Sequence, residues 1–573
     1  FVFVNPPVVN RQLGIRRSYL SEARRVAGEF LRRQLQLIVF AQSRLATEIL
    51  TTYLKDDFED PAGGVERVRG YRGGYLPLRR REIERGLREG AVRAVVSTNA
   101  LELGIDVGAL DVSVMAGYPG TIASTWQRAG RAGRRSDRSA AVLVASSAPL
   151  DQFIVRNPSY FFDAPPEHAL IDPDNLHVLV DHLKCAVFEL PFASNEAFGR
   201  HAVRDILTVL AEQGLVHESG GAVDAGASAE EAVWTWTSES YPANAVSLRS
   251  ISSDNFVVVD ITREPEVIGE TDFTSGPSTL HPKAIYLLEG RTFQVERLDF
   301  EGRKAFVRAI ESDYYTDAIS HTRVTILDTF AVAGDVDPTS DGNRSSGPDG
   351  VAVGDDSGES MGRSILVPDC SLALHVDPLE ALRSHGEVHV VSRVVGFKKI
   401  KFYTNENVGS GELDLPEQQM HTTSYWLTIP VPVMDRLPFA SDDRRDGIVG
   451  LAFAMKQVAQ LLLMCDRHDI GMSIDTGEQV DPLDPGTGGP GAGNGTPRLF
   501  IYDNYPGGIG FSEPLFRMHR SLLDGTRRLI AQCECENGCP GCVGPVGDTG
   551  PLAKSAALRI LDLLLLKGAS AAA

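Results

Sequence analysis

The chain has 573 residues, 43% of them hydrophobic and 23% charged, which fits packed globular units and excludes a disordered or fibrous polymer. At roughly 150 residues per domain the length divides among several cores, and no uninterrupted apolar run reaches the ~18 residues of a membrane span. The net charge of −20 argues against a nucleic-acid partner only until its distribution is read, because local field governs phosphate contacts.

Residues 1–140 hold 23 Lys and Arg against 15 Asp and Glu, and the remainder holds 33 against 61. The basic surface is therefore concentrated in the first quarter. The opening FVFVNPPVVN has no initiator Met and no basic signal-peptide start, so the expectation is a piece of a longer cytoplasmic protein.

In chain order, a basic helix is predicted over 21–35, then a buried strand over Leu37–Phe40 ending in Ala41-Gln42-Ser43-Arg44. A helix over Leu45–Leu54 follows, and a polar turn at the carboxyl end of a parallel strand is where open α/β sheets bind ligands. Ser43 and Arg44 are placed either to touch phosphate or to cap that helix. The Gly pair of Tyr71-Arg72-Gly73-Gly74 lets backbone approach a ligand closely, and a helix over Arg79–Glu89 follows. After strand Ala94–Val96 comes Thr98-Asn99-Ala100-Leu101-Glu102-Leu103-Gly104-Ile105-Asp106. Then Gln127-Arg128-Ala129-Gly130-Arg131-Ala132-Gly133-Arg134 spaces its arginines by three, which on a helical turn puts the guanidiniums on one face. Guanidiniums so massed suit a polyanion, which they grip bidentately. A strand over Ala141–Ala145 completes a strand–helix alternation that predicts a parallel sheet.

These stretches resemble motifs IV, V and VI of superfamily 2 helicases, in the second RecA-like domain. The resemblance implies arginine fingers at Arg131 and Arg134, with Gln127 and Arg128 beside them in the catalytic group. It implies nucleotide contacts at Gly104 and Asp106, and DNA contacts at Ser43, Arg44, Arg72, Thr98 and Asn99. Neither a G-x-x-x-x-G-K-[ST] loop nor a D-E-x-H or D-E-x-D metal site occurs in the chain. ATP and Mg²⁺ are therefore expected to be handled together with a first RecA-like domain that this chain lacks.

Two apolar-faced helices and a Val233–Trp236 strand in residues 171–240 suit a winged helix or a plain helical spacer, and the helicase resemblance implies the winged helix. From Val246 the period changes to two, through SLRSI, NFVVVDI, EVIGET, RTFQVERLDF and KAFVRAI, predicting a barrel-like β-rich module over 241–425. Phe293, Arg297, Phe306 and Arg308 are read as core and rim, and His281 as structural. The acidic, Gly- and Ser-rich stretch 332–363 is expected to be a disordered insertion in that module. The last unit, 426–573, is predicted as an α/β domain. It has an apolar helix over Val449–Met464, a flexible loop over 476–497, strand Leu499–Tyr502, and a helix from Ser512 to Ala531 with Ser512 as N-cap.

Four of the seven cysteines, Cys533, Cys535, Cys539 and Cys542, stand as C-E-C-E-N-G-C-P-G-C. That spacing lets four thiolates converge on one ion, read as structural Zn²⁺ with an iron–sulfur cluster as the alternative. The other three cysteines are scattered in apolar surroundings, which argues against disulfides in a cytoplasmic chain.

YDNYPGGIGFSE together with these cysteines is similar to the C-terminal zinc-binding domain of the MrfA/SftH-type clade of superfamily 2 DNA helicases. The resemblance implies a multidomain α/β and α+β chain: RecA-like domain over 1–170, winged helix, β-rich module, zinc-binding domain. It implies an ATP-dependent helicase moving 3′ to 5′ on single-stranded DNA or a 3′-tailed duplex, serving DNA repair in the cytoplasm, on the nucleoid when bound. A non-catalytic DNA-binding platform and an RNA helicase are the rival readings, since motifs V and VI read backbone and do not name the sugar.

Overall fold

A computed structural model describes residues 1–59, 66–105, 107–108, 110–133, 138–167, 175–193, 195–198, 201–219, 232–244, 246, 255–333, 382–476, 496–545, 547 and 549–565. Asp106, Arg134, Cys370, the SLRSI stretch and nearly all of the two low-complexity loops lie outside these residues.

Six short strands, Val2–Val4, Ala140–Val144, Val112–Ala116, Leu37–Ala41, Ala94–Ser97 and Val68–Tyr71, pair in that order and all in parallel. Parallel strands need helical crossovers that cover both faces, and the apolar residues sort accordingly. Leu37, Val39 and Ala41 face helices Tyr19–Arg32 and Arg44–Phe58, while Ile38 and Phe40 face Ile83, Leu87 and Ile154 on the opposite side. This is the RecA-like sheet predicted from the strand–helix alternation.

Helices Leu176–Glu189 and Arg204–Glu212 pack with a three-stranded sheet, Val216–Ser219, Val233–Trp236 and Phe192–Ala193, around the fully buried Trp234. That unit has the helix-and-wing arrangement expected over 171–240. A separate five-stranded sheet follows, in the order Glu266–Asp272, Asn255–Asp260, Lys304–Ala309, Arg291–Asp299, Ile285–Leu288. Phe256, Phe293 and Val307 fill its core, and Arg308 pairs with Glu296 at its rim.

The β-rich region is not one module. Strands Tyr314–Ala333 and Leu382–Lys401 pair along their length as an antiparallel ribbon. Strand Gln418–Thr428 then joins Leu382–Lys401 to Arg498–Asp503, with Ile470–Asp475 beyond it. The expected boundary at 425/426 thus falls inside a strand, and the ribbon belongs to the C-terminal unit. Val332 and Ala333, placed by the sequence reading in a disordered insertion, are strand residues. The sheet curls until its ends meet, Ser473 Oγ donating to Thr322 O at 3.0 Å. Val388, Val390, Trp426, Phe500 and Tyr502 lie inside the curl, and the alternate residues Tyr425, Leu427, Leu499 and Ile501 face helices outside it.

Helix Ser441–Leu463 is the one helix among the described residues long and apolar enough, by length and composition, to cross a membrane. Here Leu451, Met455 and Ala459 are buried among helices His519–Ala531 and Ala553–Leu565. The predicted single helix from Ser512 is two, Ser512–Arg517 and His519–Ala531, and Ser512 is not the cap. The preceding Phe511 N–H is drawn instead to the buried carboxylate of Asp503, at 3.3 Å.

Candidate nucleic-acid groove and metal centre

The carboxyl ends of the central parallel strands deliver Gln42, Ser43 and Arg44, then Thr98 and Asn99, then Tyr118 and Pro119, to one cavity of about 900 Å³. Its opposite wall is built from the five-stranded sheet (Asp272, Tyr286), the ribbon (Thr316–Ala318) and the turn Asp466–His468 of the C-terminal unit. A ligand in this groove would touch three units at once, so those units jointly shape its binding.

Ser43 Oγ accepts the Ala46 N–H at 3.0 Å and caps helix Arg44–Phe58. Arg44 pairs with Asp272 across the groove. Thr98 Oγ1 accepts the Ala100 N–H at 3.4 Å and opens the short helix Asn99–Leu101.

Arg72 departs from its expected role. Its side chain is buried, with Nε on Glu48 Oε1 at 2.6 Å and Nη2 donating to Tyr286 Oη and Leu287 O, both at 3.2 Å. Glu48 also accepts Tyr75 Oη at 2.8 Å and Glu289 N at 2.7 Å. Burial pushes the Glu48 carboxyl up, and Arg72 with these donors opposes that shift. Arg72 therefore fastens the five-stranded sheet to the RecA-like unit.

Arg128 and Arg131 do not share a helical face, because helix Ile122–Ala129 ends at Gly130 between them. Both close on the preceding motif instead. Arg128 Nε meets Glu102 Oε2 at 2.8 Å, with its guanidinium 5.4 Å from the Phe40 ring centre. Arg131 donates Nε and Nη2 to Glu102 O at 3.0 and 2.6 Å, and Nη1 to Ile105 O at 2.8 Å. Two cations thus clamp the loop that carries Thr98 and Asn99 at one end and Gly104, in the left-handed region at φ +77, near the other. Gln127 is exposed on the same helix. Asp106 and Arg134, assigned with them, lie outside the described residues.

The four cysteine sulfurs lie within 4.8 Å of one another, three pairs at 3.5, 3.5 and 3.8 Å. Zinc–sulfur bonds of ~2.3 Å at tetrahedral angles require sulfurs about 3.8 Å apart, so the donor set fits Zn²⁺ with all four positions filled by protein. Lys554 Nζ donates to the main-chain oxygens of Cys533, at 2.7 Å, and Cys535, orienting the loop without touching sulfur. Gly14 of the RecA-like unit sits against this centre at φ +60, and a Cβ there would lie 2.8 Å from Cys539 Cβ. The metal site is thereby a joint between the two ends of the chain.

The glycine-rich stretch 505–510 is not a phosphate cradle. Its amides turn inward, Ile509 and Gly510 donating to Asp503 Oδ2 at 2.7 and 3.0 Å. Burial pushes that carboxyl up to about 6. Asn175 Nδ2 holds the loop from the winged-helix side through Pro506 O at 3.2 Å.

Glu48, Glu102, Asp503 and Arg467 were missed as organising residues. Glu102 was signalled by its place inside motif V, and Glu48 by an acid on an otherwise apolar helix face. Nothing local signals Asp503 or Arg467, whose partners come from loop closure and from the distant Gln42.

Comparison with known proteins agrees with this division. Family models match in chain order: the helicase conserved C-terminal domain over 22–136, the winged helix domain of the ATP-dependent helicase HRQ1 over 171–251, and the MrfA Zn-binding domain over 451–543. The chain is 41% identical over 564 residues to the uncharacterized ATP-dependent helicase YprA of Bacillus subtilis, covering 98% of this chain and 66% of that protein. It is 26% identical to the ATP-dependent helicase HRQ1 of Saccharomyces cerevisiae, covering 94% of this chain and 46% of that one. The crystal structure of the DUF1998 helicase MrfA bound to DNA superposes with a TM-score of 0.64 at 39% identity, over 98% of this chain and 66% of that one. The chain thus spans between about half and just under two thirds of these relatives. With helicase, winged-helix and zinc-binding modules in this order and that likeness over nearly its whole length, the chain belongs to the MrfA-type family of helicases.

Proposed function

We propose that this chain is the strand-gripping portion of an ATP-dependent DNA helicase that moves 3′ to 5′ on single-stranded DNA and serves DNA repair. The observation that carries the reading is the groove, where Ser43, Thr98 and Asn99 face the ribbon and the zinc-binding unit. Backbone amides, hydroxyls and guanidiniums at strand ends suit a phosphate backbone and carry no base readout. Two related structures support DNA as the polymer, since they hold MrfA bound to DNA and bound to DNA with AMPPNP. Polarity and repair rest on family likeness alone.

The clamp on motif V supplies a coupling route. Arg131, held by the carbonyl oxygens of Glu102 and Ile105, would turn toward a γ-phosphate as an arginine finger, together with Arg134. The loop it releases is the one that presents Thr98 and Asn99 to the strand. Nucleotide binding and strand grip would then be alternatives for one short loop. ATP with Mg²⁺ supplies the phosphoryl chemistry, and this chain's residues position and neutralise charge.

The test uses the chain itself. It should bind a labelled single-stranded oligodeoxynucleotide and release no phosphate from ATP, because a Walker loop is absent from its sequence. DNA-stimulated phosphate release by the purified chain would overturn the division of labour, and equal or better binding of oligoribonucleotide would move the assignment to RNA.

A further inference from the structure

The turn from Cys465 to Ile470 reaches from the C-terminal unit to the carboxyl end of the central strand Leu37–Ala41. There Arg467 forks onto one residue, Nη1 donating to Gln42 Oε1 at 2.6 Å and Nη2 to Gln42 O at 3.0 Å. Gln42 in turn donates to Tyr118 O at 3.0 Å. Gly117, at φ +90, leaves the space, since a Cβ there would lie 2.1 Å from Gln42 Nε2.

The turn that carries Arg467 is held from behind. Asp466 Oδ1 accepts the His468 N–H at 2.9 Å and faces His468 Nδ1 at 2.8 Å. Asp469 accepts the Asp466 N–H at 2.9 Å and Tyr505 Oη at 3.0 Å. Arg467 is thus presented on an ordered platform that lines the groove.

Its partners set it apart from the other cations there. Arg44 is paired with Asp272, Arg72 with Glu48, Arg128 with Glu102 and His468 with Asp466. Moving any of those arginines to a DNA phosphate would strand a carboxylate. Among the described residues, Arg467 has no carboxylate at ion-pair distance, and its fork is filled by neutral oxygens. A guanidinium fork binds an anionic oxygen pair more strongly than a neutral one, so exchange of Gln42 for phosphate breaks no ion pair; the Asp151 and Asp466 carboxylates feel Arg467 only at longer range.

We propose that Arg467 is a phosphate-contacting residue of the single-strand groove, supplied by the zinc-binding unit, and that it trades Gln42 for the strand when the groove fills. The inference rests on the reading of this groove as the single-strand site. It goes further by making one residue both the latch between two units in the empty groove and a ligand to the polymer in the filled one.

Salt titration tests it, with a fluorescein-labelled oligodeoxythymidylate and this chain. Arg467→Ala should flatten the plot of log affinity against log salt by about 0.7, the contribution of one phosphate on a single strand. Arg467→Lys should keep the slope and bind with intermediate affinity, since it retains the charge and loses the fork. An unchanged slope in Arg467→Ala, at any affinity, would overturn the proposal and leave Arg467 as a latch alone. Retention of zinc by the Ala variant separates that result from misfolding. A wild-type chain that does not bind the oligonucleotide would instead overturn the groove itself.

Discussion

The groove and the cysteine centre are both clusters of like charge, and the chain stabilises them by opposite means. In the groove Arg44, Arg72 and Arg128 come with Asp272, Glu48 and Glu102 already in place. At the cysteine centre four sulfurs converge while Lys554, one of the cations beside them, is turned to main-chain oxygens. A cluster whose counter-charges are covalently part of the chain folds without help. A cluster of four thiolates does not, because each repels the others until a cation joins them. The parallel sheet should therefore be indifferent to metal, and the C-terminal unit, with the Gly14 turn that packs on it, dependent on it.

The largest expected effect breaks that contrast at its metal side. Elemental analysis should return one zinc per chain, and Cys539→Ser or a strong chelator should cost the C-terminal unit on the order of 10 kcal/mol, as loss of a structural tetrathiolate zinc does. Hydrogen exchange should rise after Gln532 and also around Gly14, which packs on Cys539, while the parallel sheet stays protected. A metal-free preparation with full protection in both places would remove the centre from the account, and iron–sulfur absorption would reassign its ion.

Next in size is the charge side. Glu48→Ala strands buried Arg72 and should cost about 3–5 kcal/mol in urea unfolding. Glu48→Gln, which keeps one acceptor oxygen for Arg72 and Tyr75 but turns an amide NH2 toward the Glu289 N–H, should cost less. Equal, small losses in both would mean that the pair contributes packing and not charge compensation.

What could be read from the sequence follows the same division between local and distant partners. Motifs IV and V follow directly on parallel strands and motif VI on helix Ile122–Ala129, and short local motif resemblance was enough to point to Ser43, Thr98 and Arg131. The four cysteines fall within ten residues and needed no fold at all. The fastening role of Arg72 was not legible because its partners are Glu48 on another element and Tyr286, which is 214 residues away. Arg467 was missed because Gln42 is 425 residues away. The boundary at 425/426 failed for a related reason. Ribbon strands joined through residues 334–381 have ordinary alternating patterns, and only hydrogen-bond register shows that they continue the sheet of the C-terminal unit. The cap position at Phe511 was hidden as well, since the pull of Asp503 on its amide exists only after the loop closes.

A third effect distinguishes the two halves by pH. His519 is buried with Nδ1 2.7 Å from Tyr425 Oη, and burial, with Arg383 and Arg520 nearby, holds its pKa down to about 3 from 6.5. A depressed histidine favours the folded state above the unfolded value, and that stability is lost as pH falls from about 6.5 toward 3. The loss approaches about 1.4 kcal/mol per pH unit within that window. His519→Gln should flatten the acid limb of C-terminal unfolding relative to wild type, leaving the part contributed by thiolate protonation. An identical limb in the variant would show that His519 is not the group being titrated.

The smallest effect decides what Ser43 does. Its hydroxyl already accepts the Ala46 N–H, so Ser43→Ala should cost about 1 kcal/mol as the loss of a helix cap. That cost would fall on helix Arg44–Phe58, which also carries Glu48, and should appear in unfolding whether or not DNA is present. The hydroxyl retains a proton to donate while it accepts the amide, so capping and phosphate contact are compatible. A cap alone predicts lower stability with unchanged affinity for the single strand. A cap that also donates to phosphate predicts an additional fall in affinity with the salt slope preserved, because no charge is removed. Comparing Ser43→Ala with Ser43→Gly, which restores most of the cap's backbone freedom at a cost of only a few tenths of a kcal/mol, separates the two. Weakened binding in both variants assigns the hydroxyl to the strand, and weakened binding in Ala alone assigns the loss to the helix start.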